Sequence, residues 1–170
     1  MPNLHDRIDR IEDLPTDLVE AIRQAPVPGL GDGPNDAGLS ERLRAIHASG
    51  GMIEGVASEV TAGVISGLWL LAGDLDRSHD LSQSIKTPEG SFWHGIMHRR
   101  EGDFGNSKYW FRLVGEHPVL DQLSERTDFR DPFDFVDRVQ ACVQGRTDDA
   151  GELAQIQWVE WQLLMRWQLT

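Results

Sequence analysis

Two copies of a glycine–aspartate turn constrain the fold of this chain more than any other feature of its sequence. Gly73-Asp74 and Gly102-Asp103 lie 29 residues apart, and in each copy a bulky apolar residue and later a serine follow the aspartate. Glycine tolerates the left-handed backbone that ends a helix, and an aspartate side chain accepts hydrogen bonds from the first amides of the next helix. Each copy therefore predicts two antiparallel helices joined by a tight turn.

Helical periodicity extends beyond these turns. Apolar residues recur at three- and four-residue steps along most of the chain, and no stretch shows the strict alternation of a half-buried strand. The clearest stripe before the first turn is Val56, Val60, Val64, Leu68 and Leu71. We therefore expect an all-α protein of six to eight helices, arranged as stacked antiparallel hairpins or as an irregular bundle.

A stretch rich in proline and glycine, residues 25–34, interrupts the helical pattern near the N-terminus. Such a composition predicts a loop rather than a regular element. We expect this loop to separate an N-terminal helical arm, residues 1–35, from a single helical domain, residues 36–170.

Small residues are spaced so that the helices of each predicted hairpin can approach closely. Ser66 lies twelve residues before Ser78. Gly95 lies twelve residues before Ser107.

This spacing resembles that of the tetratricopeptide repeat, in which each helix carries a small residue, the second helix carries an aromatic one, and a proline closes the unit. The matching positions of the second unit are Gly95, Ser107, Phe111 and Pro118, whereas the first unit lacks the aromatic residue. The resemblance covers residues 57–118 and implies stacked helical hairpins.

The segment 92–118 holds three of the six histidines and the only tyrosine. It contains the strings WHGIMHRREGD and NSKYWFR. Through these strings the segment resembles a family of bacterial and fungal proteins without a known activity. This resemblance implies no function. Between His94 and Arg112 there are four basic residues against two acidic ones, in a chain whose formal net charge is −12. This local excess of positive charge indicates either ligand binding or internal ion pairs.

One hypothesis is that the basic residues bind a small anion. Lys108 and Arg112 share a helix face at i, i+4, and an arginine can hold a carboxylate or phosphate through two parallel hydrogen bonds. Tyr109 and Trp110 offer aromatic surfaces beside them. The predicted anion-binding residues are Arg99, Arg100, Lys108, Tyr109 and Arg112. The alternative is that the arginines pair within the chain, and the nearby acidic candidates are Asp80, Glu101 and Asp103.

A second hypothesis is a metal site. His94 and His98 have the i, i+4 spacing that zinc ligands use on a helix, and His79 or His47 is available as a third nitrogen ligand. Gly95 follows the first histidine, where zinc peptidases carry a glutamate. The alternative is that both residues are buried, hydrogen-bonded histidines that fix the packing of a hairpin.

Composition limits the classes of function. With 28 acidic and 16 basic residues, the chain lacks the charge that nucleic-acid binding requires. The single cysteine, Cys142, cannot form an internal disulfide. No apolar run reaches the roughly 20 residues of a transmembrane helix, and the first residues lack the order of a signal peptide. We expect a cytoplasmic protein that binds neither nucleic acid nor a membrane.

These observations favour a helical binding or scaffold module that holds an anionic small molecule or an acidic peptide on its basic surface. Two alternatives stay open. One is a metal-dependent hydrolase or transferase that uses a divalent ion such as zinc, and the other is a structural protein whose polar cluster is paired internally. Trp158, Trp161 and Trp167 cannot share one stripe of the C-terminal helix. That helix is therefore expected to be covered on more than one side, and a homodimer through it is a further expectation.

Overall fold

The computed structural model describes residues 11–170, apart from the side chain of Glu12, and this range consists of helices and loops without strands. After a 3-10 turn at Ile11–Asp13, the α-helices are α1 Thr16–Gln24, α2 Ala37–Ala48, α3 Ser58–Ala72, α4 Leu75–Ser82, α5 Pro88–Glu101, α6 Phe104–Val114, α7 Pro118–Arg126, α8 Pro132–Val143 and α9 Ala150–Gln168. The predicted all-α fold is confirmed. The described range holds nine α-helices rather than six to eight, and the predicted helical residues before Ile11 lie outside it.

The helix that the sequence analysis missed is α7. Pro118 matches the closing proline of a repeat, but in the structure it occupies the first turn of α7. A proline is well tolerated there because the first amides of a helix have no partner within it. The ring of His117 caps the same end, where its Nδ1 accepts a hydrogen bond of 3.2 Å from the amide of Val119. Pro118 therefore begins a helix, and its role as the closing proline of a repeat stays a prediction.

The two glycine–aspartate turns share one geometry. Gly73 and Gly102 end α3 and α5 with φ angles of 82° and 90°, which glycine adopts without strain. Asp74 then caps α4 and Asp103 caps α6, each by accepting a 3.1 Å hydrogen bond from the amide three residues further on. The turn and the cap predicted for both copies are confirmed.

The small residues lie where the helices of each pair touch. The hydroxyl of Ser66 donates to the carbonyl oxygen of Ser78 at 3.0 Å, which joins α3 to α4. The hydroxyl of Ser107 donates to the carbonyl oxygen of Gly95 at 2.7 Å, which joins α5 to α6. A Cβ atom at Gly95 would lie 2.9 Å from the ring of Phe111, so no larger residue fits without a shift. Helix α4 also packs on α5, while a tetratricopeptide-like order of the hairpins stays a prediction.

The N-terminal region packs on the same core as the rest of the described chain. Leu18 of α1 and Leu30 of the proline-rich loop are buried in that core. The carbonyl oxygen of Gly31 accepts a 3.0 Å hydrogen bond from Nε of Arg100. The carbonyl oxygen of Gly29 accepts one of 2.9 Å from Nε2 of Gln157. These bonds tie the loop to α5 and α9.

A buried ion pair joins α5 to α9. The side chains of Arg99 and Glu160 are both fully buried, and two guanidinium nitrogens of Arg99 donate to the Glu160 carboxylate. Arg99 also donates to Oε1 of Gln157 at 3.2 Å, and its guanidinium carbon lies 4.5 Å from the ring centre of Phe135 in α8. Two charges are tolerated in the core because each neutralises the other and is hydrogen-bonded. The position of α5 relative to α8 and α9 therefore depends on this pair.

Replacing Glu160 by glutamine tests that dependence. The substitution leaves the Arg99 charge buried without its counter-charge, so we expect the free energy of unfolding to fall by about 3–5 kcal/mol. Urea denaturation followed by circular dichroism measures the change. The matched control is Glu152→Gln, which removes an exposed carboxylate 3.3 Å from Arg138 and is expected to cost less than about 1 kcal/mol. Equal small losses in the two variants would contradict the role of the buried pair.

Candidate functional site

Three histidines converge between α4 and α5. His79 lies on α4, and His94 and His98 lie one turn apart on α5. One ring nitrogen of each lies within 4.8 Å of a ring nitrogen of both others. The ring centre of His94 is 4.6 Å from those of His79 and His98. Of the two candidates for the third nitrogen, it is His79 that joins the group, since His47 lies at the exposed end of α2.

Neighbouring groups determine which nitrogen of each buried ring carries the proton. The hydroxyl of Ser82 donates to the carbonyl oxygen of Ser78 at 2.8 Å and lies 2.7 Å from Nδ1 of His94. Because a hydroxyl has a single proton, Nδ1 of His94 is the donor in the second contact. Nδ1 of His98 lies 2.5 Å from Oε1 of Glu101, and a carboxylate only accepts. Nδ1 is therefore the donor of both rings, and a neutral ring that donates through Nδ1 keeps its lone pair on Nε2, the atom that can bind a metal ion.

The two histidines of α5 are buried, whereas His79 reaches solvent. His94 and His98 are 1% and 5% exposed, and the side chain of His79 is 36% exposed. Burial, together with the neighbouring His98 and His79, lowers the pKa of His94 to about 3. His94 is therefore neutral at neutral pH, the form in which imidazole binds metals. The exposed third ring leaves the group open on one side.

Side chains of α4, α5 and α6 surround the three rings. The ring of Trp110, on α6, lies 4.1 Å from that of His94, centre to centre. An Asp80 carboxylate oxygen faces Nδ1 of His79 at 3.8 Å. An oxygen therefore lies beside Nδ1 of each ring: the hydroxyl of Ser82 for His94, the carboxylate of Glu101 for His98, and that of Asp80 for His79.

A second group of potential ligands shares His98. Its ligand atoms, from His98, Glu101 and Asp103, lie within 4.8 Å of one another. Asp103 already caps α6 through the backbone amide and the side-chain amide of Asn106. Glu101 already accepts the proton of His98. These carboxylates are therefore engaged in orienting neighbouring groups, and the three-histidine group is the stronger candidate.

Sequence analysis identified the histidines but not Ser82. Its signal was present, because Ser82 lies twelve residues before His94, the spacing that also relates Ser66 to Ser78. A pair at this spacing in the sequence faces across two packed helices. The same twelve-residue spacing predicts that the hydroxyl of Ser82 lies beside the imidazole of His94.

The two arginines predicted to bind an anion are buried and hydrogen-bonded within the chain, although Nε of Arg99 and Nη2 of Arg100 have no hydrogen-bond partner in residues 11–170. Arg99 pairs with Glu160, and Arg100 donates to the carbonyl oxygens of Leu70 and Gly31. Burial, with the neighbouring charge of Arg99, lowers the pKa of Arg100 to about 10, so this guanidinium keeps its charge at neutral pH. The arginines pair internally, but with partners other than the acidic residues considered from the sequence.

The other three predicted anion-binding residues lie on α6. Lys108 is 2.6 Å from a carboxylate oxygen of Asp137, and the guanidinium of Arg112 lies 5.8 Å from the ring centre of Phe133. Tyr109 is half exposed. Because the arginines of α5 are buried, these side chains do not join them in one basic surface.

A further polar group lies at the start of α5. Oε1 of Glu89 accepts a 3.1 Å hydrogen bond from the indole of Trp167 and lies 3.4 Å from Nε2 of His117. Burial raises the pKa of Glu89, but hydrogen bonds from its own amide, from Thr87 and from these two rings outweigh burial and lower it. The group joins α5 to α7 and α9.

Helix α9 carries the tryptophans that we expected at a dimer interface. Trp158 and Trp161 are buried within the chain and stack at 5.1 Å, whereas Trp167 is 42% exposed. The homodimer stays a prediction.

Among the helices of residues 11–170, none has both the length and the apolar character to cross a bilayer.

No protein family, curated protein or solved structure that was compared with this chain matches it. The resemblances to the tetratricopeptide repeat and to the bacterial and fungal family stay predictions. Any function therefore rests on the side chains of the site.

The protonation of His94 in metal-free protein tests the geometry of the site. The pKa of His94 is about 6.5 in the unfolded chain and about 3 in the folded protein. As the pH falls from 6.5 to 3, the unfolded chain therefore binds a proton that the folded protein does not. The contribution of His94 to the free energy of unfolding decreases over this interval. We expect ¹⁵N NMR at about pH 5 to show a neutral ring with the proton on Nδ1. The His94→Gln variant assigns the signal. A ring that is already charged at that pH would contradict the arrangement.

Proposed function

We propose that this chain is a metalloprotein in which His79, His94 and His98 bind one divalent ion of the zinc class, and that the bound ion catalyses hydrolysis. The observation that carries the proposal is the convergence of three imidazoles from two packed helices, α4 and α5. Zinc is four-coordinate in most protein sites, and catalytic sites use three protein ligands and leave the fourth position open.

The surroundings of the rings support the proposal. Ligating histidines in metal sites usually donate their second N–H to an oxygen, which fixes the orientation of the ring and raises its basicity. Ser82 and Glu101 supply such oxygens to His94 and His98 at 2.7 and 2.5 Å. The purely structural alternative needs a hydrogen bond on each buried ring, but it does not require nitrogens of all three rings to lie within 4.8 Å of one another.

The accessible side of the group suits catalysis. His79 is partly exposed, so water and a substrate can approach the fourth position from the solvent. A metal ion held by three nitrogens lowers the pKa of its bound water to about 7 and so supplies a nucleophile at neutral pH. Helix α5 contributes two buried, hydrogen-bonded histidines as ligands, and the short helix α4 contributes the third.

Metal content tests the binding step. Protein purified without an affinity tag and dialysed against zinc is expected to hold one ion per chain, measured by plasma mass spectrometry. We expect His98→Ala to lose the ion and Glu101→Gln to bind it 10–100-fold more weakly, because the glutamine no longer accepts the proton of Nδ1 as strongly. The matched control is His47→Ala, which removes an exposed histidine outside the group. A chain without bound zinc, or one that keeps its ion in the His98→Ala variant, would refute the site.

Hydrolysis of p-nitrophenyl acetate tests the catalytic step. We expect the zinc-loaded protein to release p-nitrophenolate faster than EDTA-treated protein, and added zinc to restore the rate. The His47→Ala variant should retain the activity, and His94→Ala should lose it. If the protein binds one zinc ion per chain but hydrolyses the ester no faster than EDTA-treated protein, the proposed catalysis is refuted and only metal binding remains.

A further inference from the structure

A hollow of about 340 Å³ lies between α2, α3 and α4, apart from the three imidazoles. Its size is within the range of sites for small molecules. It touches the histidine site only through Asp80, whose carboxylate lies on its edge and faces His79. The hollow is therefore a separate candidate for binding.

The floor and walls of the hollow are mainly apolar. Leu43, Ile65 and Trp69 are core residues that line it from α2 and α3. Met52 stands at its rim and is 53% exposed, an unusual position for a large apolar side chain. The three core residues are almost fully buried, so the apolar surface that a ligand would remove from water belongs to exposed lining residues such as Met52 and Ala62.

The two residues with formal charges that line the hollow both come from α4. Its other polar lining residues are His47, Ser58 and Thr61. Arg77 and Asp80 are three residues apart on α4, and therefore neighbours on one face of the helix. The guanidinium carbon of Arg77 lies 5.1 Å from the ring centre of Trp69, and its Nε is 3.4 Å from Asp74. Arginine has five N–H donors, so the pair with Asp74 leaves donors for a ligand. The Asp80 side chain is 79% exposed.

We propose that this hollow binds a small zwitterion with an apolar side chain, of the class of the free aromatic or aliphatic α-amino acids. The carboxylate of the ligand pairs with Arg77, its ammonium group pairs with Asp80, and its side chain lies against the exposed apolar side chain of Met52. The neighbouring cation and anion of the protein match the two charges of such a ligand. A simple anion bound to Arg77 would face the like charge of Asp80, and a simple cation bound to Asp80 would face the like charge of Arg77. The site does not depend on the metal ion.

Four related probes distinguish an apolar zwitterion from simple anions, simple cations and small zwitterions. They are L-phenylalanine, phenylacetate without the ammonium group, phenethylamine without the carboxylate, and glycine without the ring. Isothermal titration of EDTA-treated protein measures their affinities. We expect L-phenylalanine to bind at least about tenfold more tightly than any of the others, since each lacks one of the three contacts. Equal binding of phenylacetate or phenethylamine, or no saturable binding of L-phenylalanine up to about 10 mM, would overturn the proposal.

Variants locate the binding. Arg77→Gln should bring the affinity for L-phenylalanine close to that for phenethylamine, and Asp80→Asn should bring it close to that for phenylacetate. Asp76→Asn, on the same helix but not at the hollow, is the matched control and should change nothing. Ala62 lines the hollow at an exposed position, so Ala62→Trp should fill it and abolish binding of all four probes without loss of the fold. Unchanged binding in Ala62→Trp would place the ligand elsewhere and overturn the proposal.

Discussion

The buried pair of Arg99 and Glu160 determines how α5 is rotated, and the histidine site depends on that rotation. Successive side chains of an α-helix point about 100° apart, so once Arg99 faces α9, the directions of its neighbours follow. Arg100 then reaches Leu70 and the proline-rich loop, and His98 faces away from α9 toward Glu101 and the rings of His94 and His79. Helix α5 is buried from residue 90 to residue 100, so its two arginines find partners inside the protein: Arg99 a carboxylate, and Arg100 two backbone carbonyl oxygens.

Helix α4 links the two proposed sites. It is eight residues long, and it presents His79 to α5 and both Arg77 and Asp80 to the hollow at α2 and α3. Its start is fixed by the Asp74 cap, and its contact with α3 by the buried hydroxyls of Ser66 and Ser78. The buried α5 and the short, capped α4 therefore carry the three histidines of the proposed metal site between them. The third histidine is the one whose position can adjust when an ion binds, since it is partly exposed.

Local patterns in the sequence predicted the parts of the structure that local contacts determine. The turns at Gly73 and Gly102 follow from the conformational freedom of glycine and the hydrogen bonds of the aspartates, and the i, i+4 spacing of His94 and His98 places their rings together. The partners of the arginines were not predictable in this way. Glu160 lies 61 residues from Arg99, and no periodicity of either helix relates them. Whether a charged residue faces solvent or the core depends on how distant helices pack, which a local pattern does not contain.

X-ray absorption spectroscopy of the zinc-loaded protein tests the central claim most directly, because it reports the ligands of the ion itself. We expect three imidazole nitrogens and one further oxygen at about 2.0–2.1 Å, in a tetrahedral first shell. A first shell of oxygens alone, or one with fewer than three imidazoles, would contradict the three-histidine site.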